Sequence, residues 1–453
     1  MLPASAMTTL SVNLQPPIHK LPPEILCQIF ITSGIRNIIT SARHRREISG
    51  FNIAAVCSYW RSVALTTIEL WNSVCLAANH HLDDSQDYAL VMVLQRLLAL
   101  SAESALFVSF EIMDPTPRIP RIFHLLFDQS HRWQTLSVVC VPSPCLQFIS
   151  KLTLDSLLAF ELTTLQPLTD LNPLKAPKLH KLSLNLVESK TSFIPWSQIT
   201  DLTIQKSYIP QILKVLPRML NLSKLNCRVS RKFASDRFQP LVKSDLSSLA
   251  VSFSDEQAMQ LFFDAVLLPN LTSLTLTFTS VVYSSVTEEK HWSRTTLPSL
   301  LTRSGSSTIL TSFTLHKTQI HPTGLTSLLN LMPNLKNLSF YEKFDDFGHR
   351  VINHLLSTLT LQNSSESGLV PNLTFLFLEI HCSADSDFNI TILFDLITSR
   401  PNLRTVSINV PRENLSLSDS TIASFVDLQK GMDVRIEDAG GDVLFTGREQ
   451  RGK

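Results

Sequence analysis

The chain has 453 residues, 44% of them hydrophobic and 17% charged, with a formal net charge of +1. At roughly 100–200 residues per domain this is two to four compact units or one long repeat array, and it is too apolar for a disordered chain. Thirty-nine basic residues against 38 acids exclude the broad positive field that a nucleic-acid or acidic-membrane binder needs. Residues 1–17 are small and polar and end in Pro16-Pro17, which predicts a disordered lead-in.

Residues 18–75 carry a helical pattern. Pro22 and Pro23 suit a first helical turn, where a missing N–H costs nothing, and Glu24 suits the positive end of the helix dipole. Ile25, Leu26, Ile29 and Phe30 follow as one apolar stripe. The segment 31–52, with the basic run RHRR at 43–46, reads as a loop. AAVCSYWRSVALTTIELW (54–71) then sets Val56, Cys57, Trp60, Ala64 and Trp71 at helical steps.

From residue 88 to 436 one phrase returns, Leu-x-x-Leu-x-Leu, often led by Pro-Asn. Its clearest copies are PNLTSLTL (269–276), PNLKNLSF (333–340), PNLTFLFL (371–378) and PNLRTVSI (401–408). The middle apolar positions are Leu136, Phe160, Leu182, Leu202, Leu225, Leu249, Leu274, Phe313, Leu338, Leu376 and Val406. Most steps between them fall in the roughly 20–29 residue period of a leucine-rich repeat. The two longest predict inserts near 280–308 and 341–370. MDVRIED (432–438) predicts a closing strand, and 439–453 a flexible tail. Two apolar residues spaced by two point to one side of a strand. The segments between, such as FIPWSQI (193–199) and EQAMQLFFDAVLLPN (256–270), show helical spacing. A strand and a helix that cannot bury their apolar faces alone do so by stacking on neighbours. The expected fold is therefore α/β: a small helical module, then a solenoid over 76–438 with a parallel sheet on its inner face. Ser207, Ser230, Ser254, Thr279 and Thr318, five residues after a marker, suggest a hydroxyl ladder to turn backbone.

Chemistry-bearing motifs are sparse. Glycines number 11, far below the usual 7% or so, and build neither a phosphate loop nor a nucleophile elbow. The seven cysteines are odd in number and form no CxxC, which predicts a reducing intracellular setting, cytosol or nucleus, without disulfides or zinc. No stretch of about 18 apolar residues spans a membrane. His80-His81 with Asp83-Asp84 is the densest polar cluster, yet adjacent side chains point apart and make poor metal ligands. No catalytic residue, metal or cofactor is expected.

The order LPxEIL-x-x-IF, VC-x-x-W-R-x-x-A and a closing LW over residues 20–72 resembles the F-box. The chain as a whole resembles F-box-like proteins with leucine-rich tails, a type abundant in mushroom-forming fungi. The resemblance implies a three-helix module that docks on the Skp-type adaptor of a cullin–RING ubiquitin ligase. It also implies that a target protein is held by the repeats and that the chain does no bond chemistry itself. By that resemblance Leu21, Pro22, Ile25, Leu26, Ile29, Phe30, Val56, Cys57, Trp60 and Trp71 face the adaptor or the module's own core. The segment 31–52 is longer than the pattern calls for. That departure keeps a second reading open, a repeat scaffold whose degenerate F-box serves no ligase.

Positions one and three after each marker are expected to face outward from the inner sheet. They are small and neutral early in the chain. Arg228 is an early exception, and His316, Tyr341, Phe377 and Glu379 follow later. Aromatic and arginine residues are favoured binding anchors, so these five are the predicted partner-binding positions.

Overall fold

The computed structural model describes residues 21–33, 37–40, 49–78, 84–112, 121–141, 143–164, 171–186, 193–231, 241–279, 295–316, 320, 322–341, 348–360, 368–380, 390–410, 433–438 and 443–447. The expected lead-in, the RHRR run and the His80–Asp83 cluster lie outside them, as does Thr318. The chain divides into two compact units, residues 1–179 and 180–453. Both are mixed α/β with parallel strands and intervening helices.

The first unit begins with α1 (Pro23–Thr32), β1 (Asn37–Thr40), α2 (Ser49–Val56), α3 (Ser58–Thr66) and β2 (Ser73–Ala78). It continues through α4 (Asp84–Leu100), β3 (Leu106–Ile112), α5 (Arg121–Phe127), β4 (Trp133–Val139), α6 (Ser143–Ile149) and β5 (Ala159–Thr163). Strands β1 to β5 pair in chain order and all in parallel. The segment expected to be a loop thus contains β1. Asn37, fully buried, holds it in place: its Nδ2 donates to the carbonyls of Leu70 (2.7 Å) and Ser73 (3.1 Å), and its Oδ1 accepts from the Gly50 amide (3.3 Å). Strands β2 and β3 escape the repeat phrase because neither carries its spaced leucines, and β3 opens on three consecutive apolar residues, Leu106, Phe107 and Val108. Leu106, Val108 and Phe110 point inward, and outward-facing Phe107 hides the alternation.

The second unit holds β6 (Lys181–Leu186), β7 (Asp201–Tyr208), α7 (Ile209–Val215), β8 (Lys224–Ser230), β9 (Val242–Lys243), β10 (Ser248–Phe253), α8 (Glu256–Asp264), β11 (Val266–Leu267) and β12 (Ser273–Phe278). It goes on with α9 (Thr296–Ser304), β13 (Ser312–His316), α10 (Pro322–Asn330), β14 (Asn337–Tyr341), α11 (Gly348–Leu359), β15 (Phe375–Glu379), α12 (Ile390–Ser399), β16 (Thr405–Val410), β17 (Asp433–Asp438) and β18 (Val443–Gly447). The strands pair in chain order and in parallel from β6 to β17, apart from β9 and β11, which form their own two-stranded sheet. The last strand, β18, pairs antiparallel with β17 inside the segment expected to be a flexible tail.

The sequence markers fall into register. Leu202 pairs with Leu225, Leu225 with Leu249, Leu249 with Leu274, and Leu274 with Phe313. The row continues through Leu338, Leu376 and Val406 to Val434. All are buried, each worth about 1.5–3 kcal/mol of transfer free energy. The two long steps are crossovers that carry α9 and α11. FIPWSQI forms only a 3-10 turn, Trp196–Gln198, because the 20-residue step between Leu182 and Leu202 leaves no length for a helix.

Two sets of polar bonds tie neighbouring repeats. The first lies two residues before each marker. The hydroxyls of Thr200, Ser223, Ser247, Thr272, Thr311 and Thr374 each donate, at 2.9–3.3 Å, to the carbonyl at the same place one repeat earlier. The same carbonyls also accept two successive backbone N–H groups, as Thr200 O does from Ser223 and Lys224. The ladder expected five residues after the markers is partial. Ser230 reaches the Ser207 carbonyl (3.4 Å) and Thr279 that of Phe253 (3.2 Å), but the Ser254 hydroxyl turns to Asp255.

The second set uses arginine at helix C-termini, where carbonyls lack intrahelical partners and the dipole favours a cation. Arg132 bonds the Ser101 and Ser104 carbonyls just past α4. Arg303 bonds Phe263 O (2.6 Å) and Val266 O (3.3 Å) at the end of α8. Arg400, buried, bonds the carbonyl of Leu359, the last residue of α11, and also those of Leu369 and Val370 farther along the chain. Burial lowers the Arg400 guanidinium to about 10, so it stays charged at neutral pH.

Candidate functional site

Helix α1 starts at Pro23, with Pro22 ahead of it in extended backbone and Glu24 in its first turn. It carries two apolar stripes. Leu26 and Phe30, four apart, are buried; Phe30 meets the Trp60 ring at 5.1 Å between centroids. Ile25 and Ile29, also four apart, are 49% and 45% exposed. A helix apolar on two sides fills its own core with one stripe and leaves the other facing solvent.

Helix α3 packs on both α1 and α2. Its N-cap is Cys57, whose Sγ accepts from the Trp60 amide at 3.4 Å. The chain then returns through Trp71, whose Nε1 donates to the Ala64 carbonyl at 2.9 Å. The Tyr59 hydroxyl donates to the Leu21 carbonyl at 2.7 Å, tying α3 to the residue ahead of α1.

The ten residues that the motif groups together therefore separate. Leu26, Phe30 and Trp71 are buried in the module's own core. Apolar spacing alone does not distinguish the two stripes of α1. Pro22, Ile25, Ile29 and Val56 are exposed, Val56 at 60%, while Leu21, Cys57 and Trp60 are half-buried. Three further exposed apolar residues in this segment, Ile31, Leu65 and Ile68, lie outside the motif. The signal for Ile68 is its position between the buried Thr67 and Leu70, where a helical stripe would place it outside.

The second candidate surface is the outward face of β13 to β17. His316 and Tyr341 stack with centroids 3.7 Å apart and planes at 20°, and Tyr341 meets Phe377 at 4.8 Å and 35°. The three rings come from adjacent strands, since His316 pairs with Tyr341 in register and Tyr341 with Glu379. Burial, and secondarily the Glu379 charge, raises the Tyr341 phenol above its ordinary value. Four of the five predicted positions are thus brought together. Arg228 is not. It is exposed on β8, with β10 and β12 between it and β13, because its outward position recurs in a repeat too far back along the sheet.

Among the described residues no group of His, Cys, Asp and Glu is arranged to hold a metal, and no helix is long and apolar enough to cross a membrane. The chain matches no curated protein. Residues 18–77 match the F-box-like family model, a span that runs from α1 into β2 and holds the exposed stripe of Ile25 and Ile29.

Proposed function

We propose that this chain is a non-catalytic substrate receptor of a Skp–cullin–F-box type ubiquitin ligase. The F-box-like segment docks on a Skp-type adaptor, and a leucine-rich-repeat solenoid formed by the strand–helix repeats holds a target protein. The chain raises the effective concentration of target lysines near a ubiquitin-charged enzyme supplied in trans. One observation carries the adaptor half of this reading: α1 exposes Ile25 and Ile29 on a stripe beside its core-facing one while Leu26 and Phe30 already fill the core. In-register marker strands support the repeat half. By this reading Pro22, Ile25, Ile29 and Val56 are the adaptor contacts, and His316, Tyr341, Phe377 and Glu379 serve the target.

The test is a pull-down of purified Skp-type adaptor with the chain and with an Ile25→Asp, Ile29→Asp variant. Both positions are exposed, so the fold survives, as circular dichroism would verify. An unpaired charge pressed into an apolar contact costs several kcal/mol, so the folded variant should lose the adaptor. Failure of the folded parent to bind would sink the ligase reading. It would favour the second reading, a repeat scaffold without ubiquitination, which has its own observation in β1: an extra strand stands between α1 and α2 where the family resemblance calls for a short link.

A further inference from the structure

We infer that the face of β6 to β8 around Lys206 and Arg228 binds an acidic segment of a partner protein, a stretch of chain bearing several Asp or Glu carboxylates. The inference rests on the reading of the repeats as the surface that holds a partner, and it names the chemistry of one part of that partner.

The centre of this face is a β-bulge. Between β7 and β8, Ile204 pairs with Cys227 and Ser207 with Val229, so two residues, Gln205 and Lys206, stand against Arg228 alone. Strict alternation from the buried Leu202 and Ile204 would turn Lys206 inward. The extra residue gives the inward place to Ser207, which is fully buried, and leaves Gln205 and Lys206 both exposed. A bulge re-aims a side chain in this way at the expense of the local ladder. The result here is a lysine opposite an arginine on strands about 5 Å apart.

Nothing in the sheet answers these two charges. Arg228 is exposed like Lys206, and among the described residues neither side chain has an ion pair or a hydrogen bond. Beyond them in register stand Ser252 on β10 and Leu186 on β6, both uncharged. Like charges facing each other across a ladder are destabilising, and an anion between them turns that repulsion into attraction. The guanidinium offers its donors in one plane, a fork that a carboxylate matches. Gln205 and Asn226, also exposed, border the pair with neutral donors.

A second positive centre sets the length of the ligand. Lys181, Asp201 and Lys224 are register partners across β6, β7 and β8, and Lys224 Nζ lies 3.9 Å from Asp201. One carboxylate between two lysines leaves one positive charge in excess. Lys224 stands four residues before Arg228, about 13 Å along the strand. A single phosphate does not span that distance, whereas an extended segment with carboxylates some four residues apart does. The outward positions of β10 and β12 are serine, alanine and threonine, so the excess is local in a chain of net charge +1.

The experiment pans a phage library of short random peptides against the immobilised full chain and, in parallel, against a Lys206→Gln, Arg228→Gln variant. Both positions are exposed, so the variant folds, as circular dichroism would verify. The expected result is enrichment of Asp and Glu by the parent and not by the variant. Enriched peptides resynthesised with Asn for Asp and Gln for Glu should bind the parent about tenfold more weakly. A further set restores a single phosphoserine to these amide forms. No acidic enrichment, equal enrichment by the variant, or equal binding by the amide forms would overturn the inference. Full recovery by one phosphoserine would overturn it too, by assigning the bulge to phosphate. Adaptor binding is read separately on the same preparation. A parent that holds the adaptor without acidic preference refutes this inference alone, whereas one that selects acidic peptides but fails to hold the adaptor refutes only the ligase reading.

Discussion

Gly50 lies flat against the Trp71 ring: a Cβ on Gly50 would stand 2.7 Å from Cζ3 and 3.0 Å from Cη2 of the indole. Trp71 cannot easily yield, because its Nε1 is bonded to Ala64 O and its ring meets Phe51 at 5.1 Å. The glycine serves close approach between α2 and the end of the F-box-like segment. Gly50→Ala should destabilise the chain by about 1–3 kcal/mol through overpacking, read as a lower urea midpoint. A variant as stable as the parent would show that α2 can shift outward at no cost.

Arg400 ties the Leu359 carbonyl at 2.6 Å and the Val370 carbonyl at 2.6 Å from a site 3% exposed. Val370 itself sits at φ 52, a left-handed conformation that non-glycine residues adopt only when held there. Arg400→Met keeps the length and apolar stem but leaves those carbonyls unmet. A loss of about 2–5 kcal/mol is expected. Arg303→Met, at a more exposed helix end, should cost less. Equal losses for the two variants in thermal unfolding would mean that burial of the guanidinium does not set the cost.

Much of this architecture is legible in the amino-acid order because the repeat phrase and the sheet obey the same period. Leu225, Leu249 and Leu274 recur at the repeat spacing and pair with one another in the sheet. What was hidden has physical reasons. Strand β1 has only four residues and is set by pairing with β2 and by the Asn37 side chain, long-range contacts that no local pattern reports. The arginine caps join residues about 30–40 positions apart along the chain. In the F-box-like segment the residue types were readable but not their direction. Leu26 and Ile25 are equally apolar, and only the packing of α3 decides which of them is inside. The aromatic row was foreseeable position by position; that His316, Tyr341 and Phe377 touch follows from a register that the long steps at α9 and α11 obscure.

The ladder ahead of the markers gives a graded test. Thr272 Oγ1 donates to Ser247 O at 2.9 Å, and Ser247 Oγ to Ser223 O at 3.1 Å. Thr272→Val preserves shape and removes the hydroxyl, so it should cost about 0.5–1.5 kcal/mol. The two bonds use different carbonyls, so Thr272→Val and Ser247→Ala should add in a double-mutant cycle. A coupling as large as either single effect would mean that the ladder acts as one cooperative unit.

The buried thiols make stability fall with alkali. Burial pushes Cys145 from 9.0 up to about 11 and pushes Cys227 up as well. Between about pH 9 and 11 the unfolded chain has released these protons while the folded chain still holds them. Unfolding then releases protons, so each rise in pH favours the unfolded state. Below pH 9 both states are protonated and the thiols contribute no slope. A Cys145→Ala, Cys227→Ala variant is less stable at pH 8 because it lacks two buried side chains, but its stability should decline less steeply from pH 9 to 11 than the parent's. The same burial predicts that a thiol reagent at pH 8 modifies neither cysteine in the folded chain and both in urea. Rapid labelling of Cys227 in the absence of denaturant would show that β8 opens locally well before the chain unfolds.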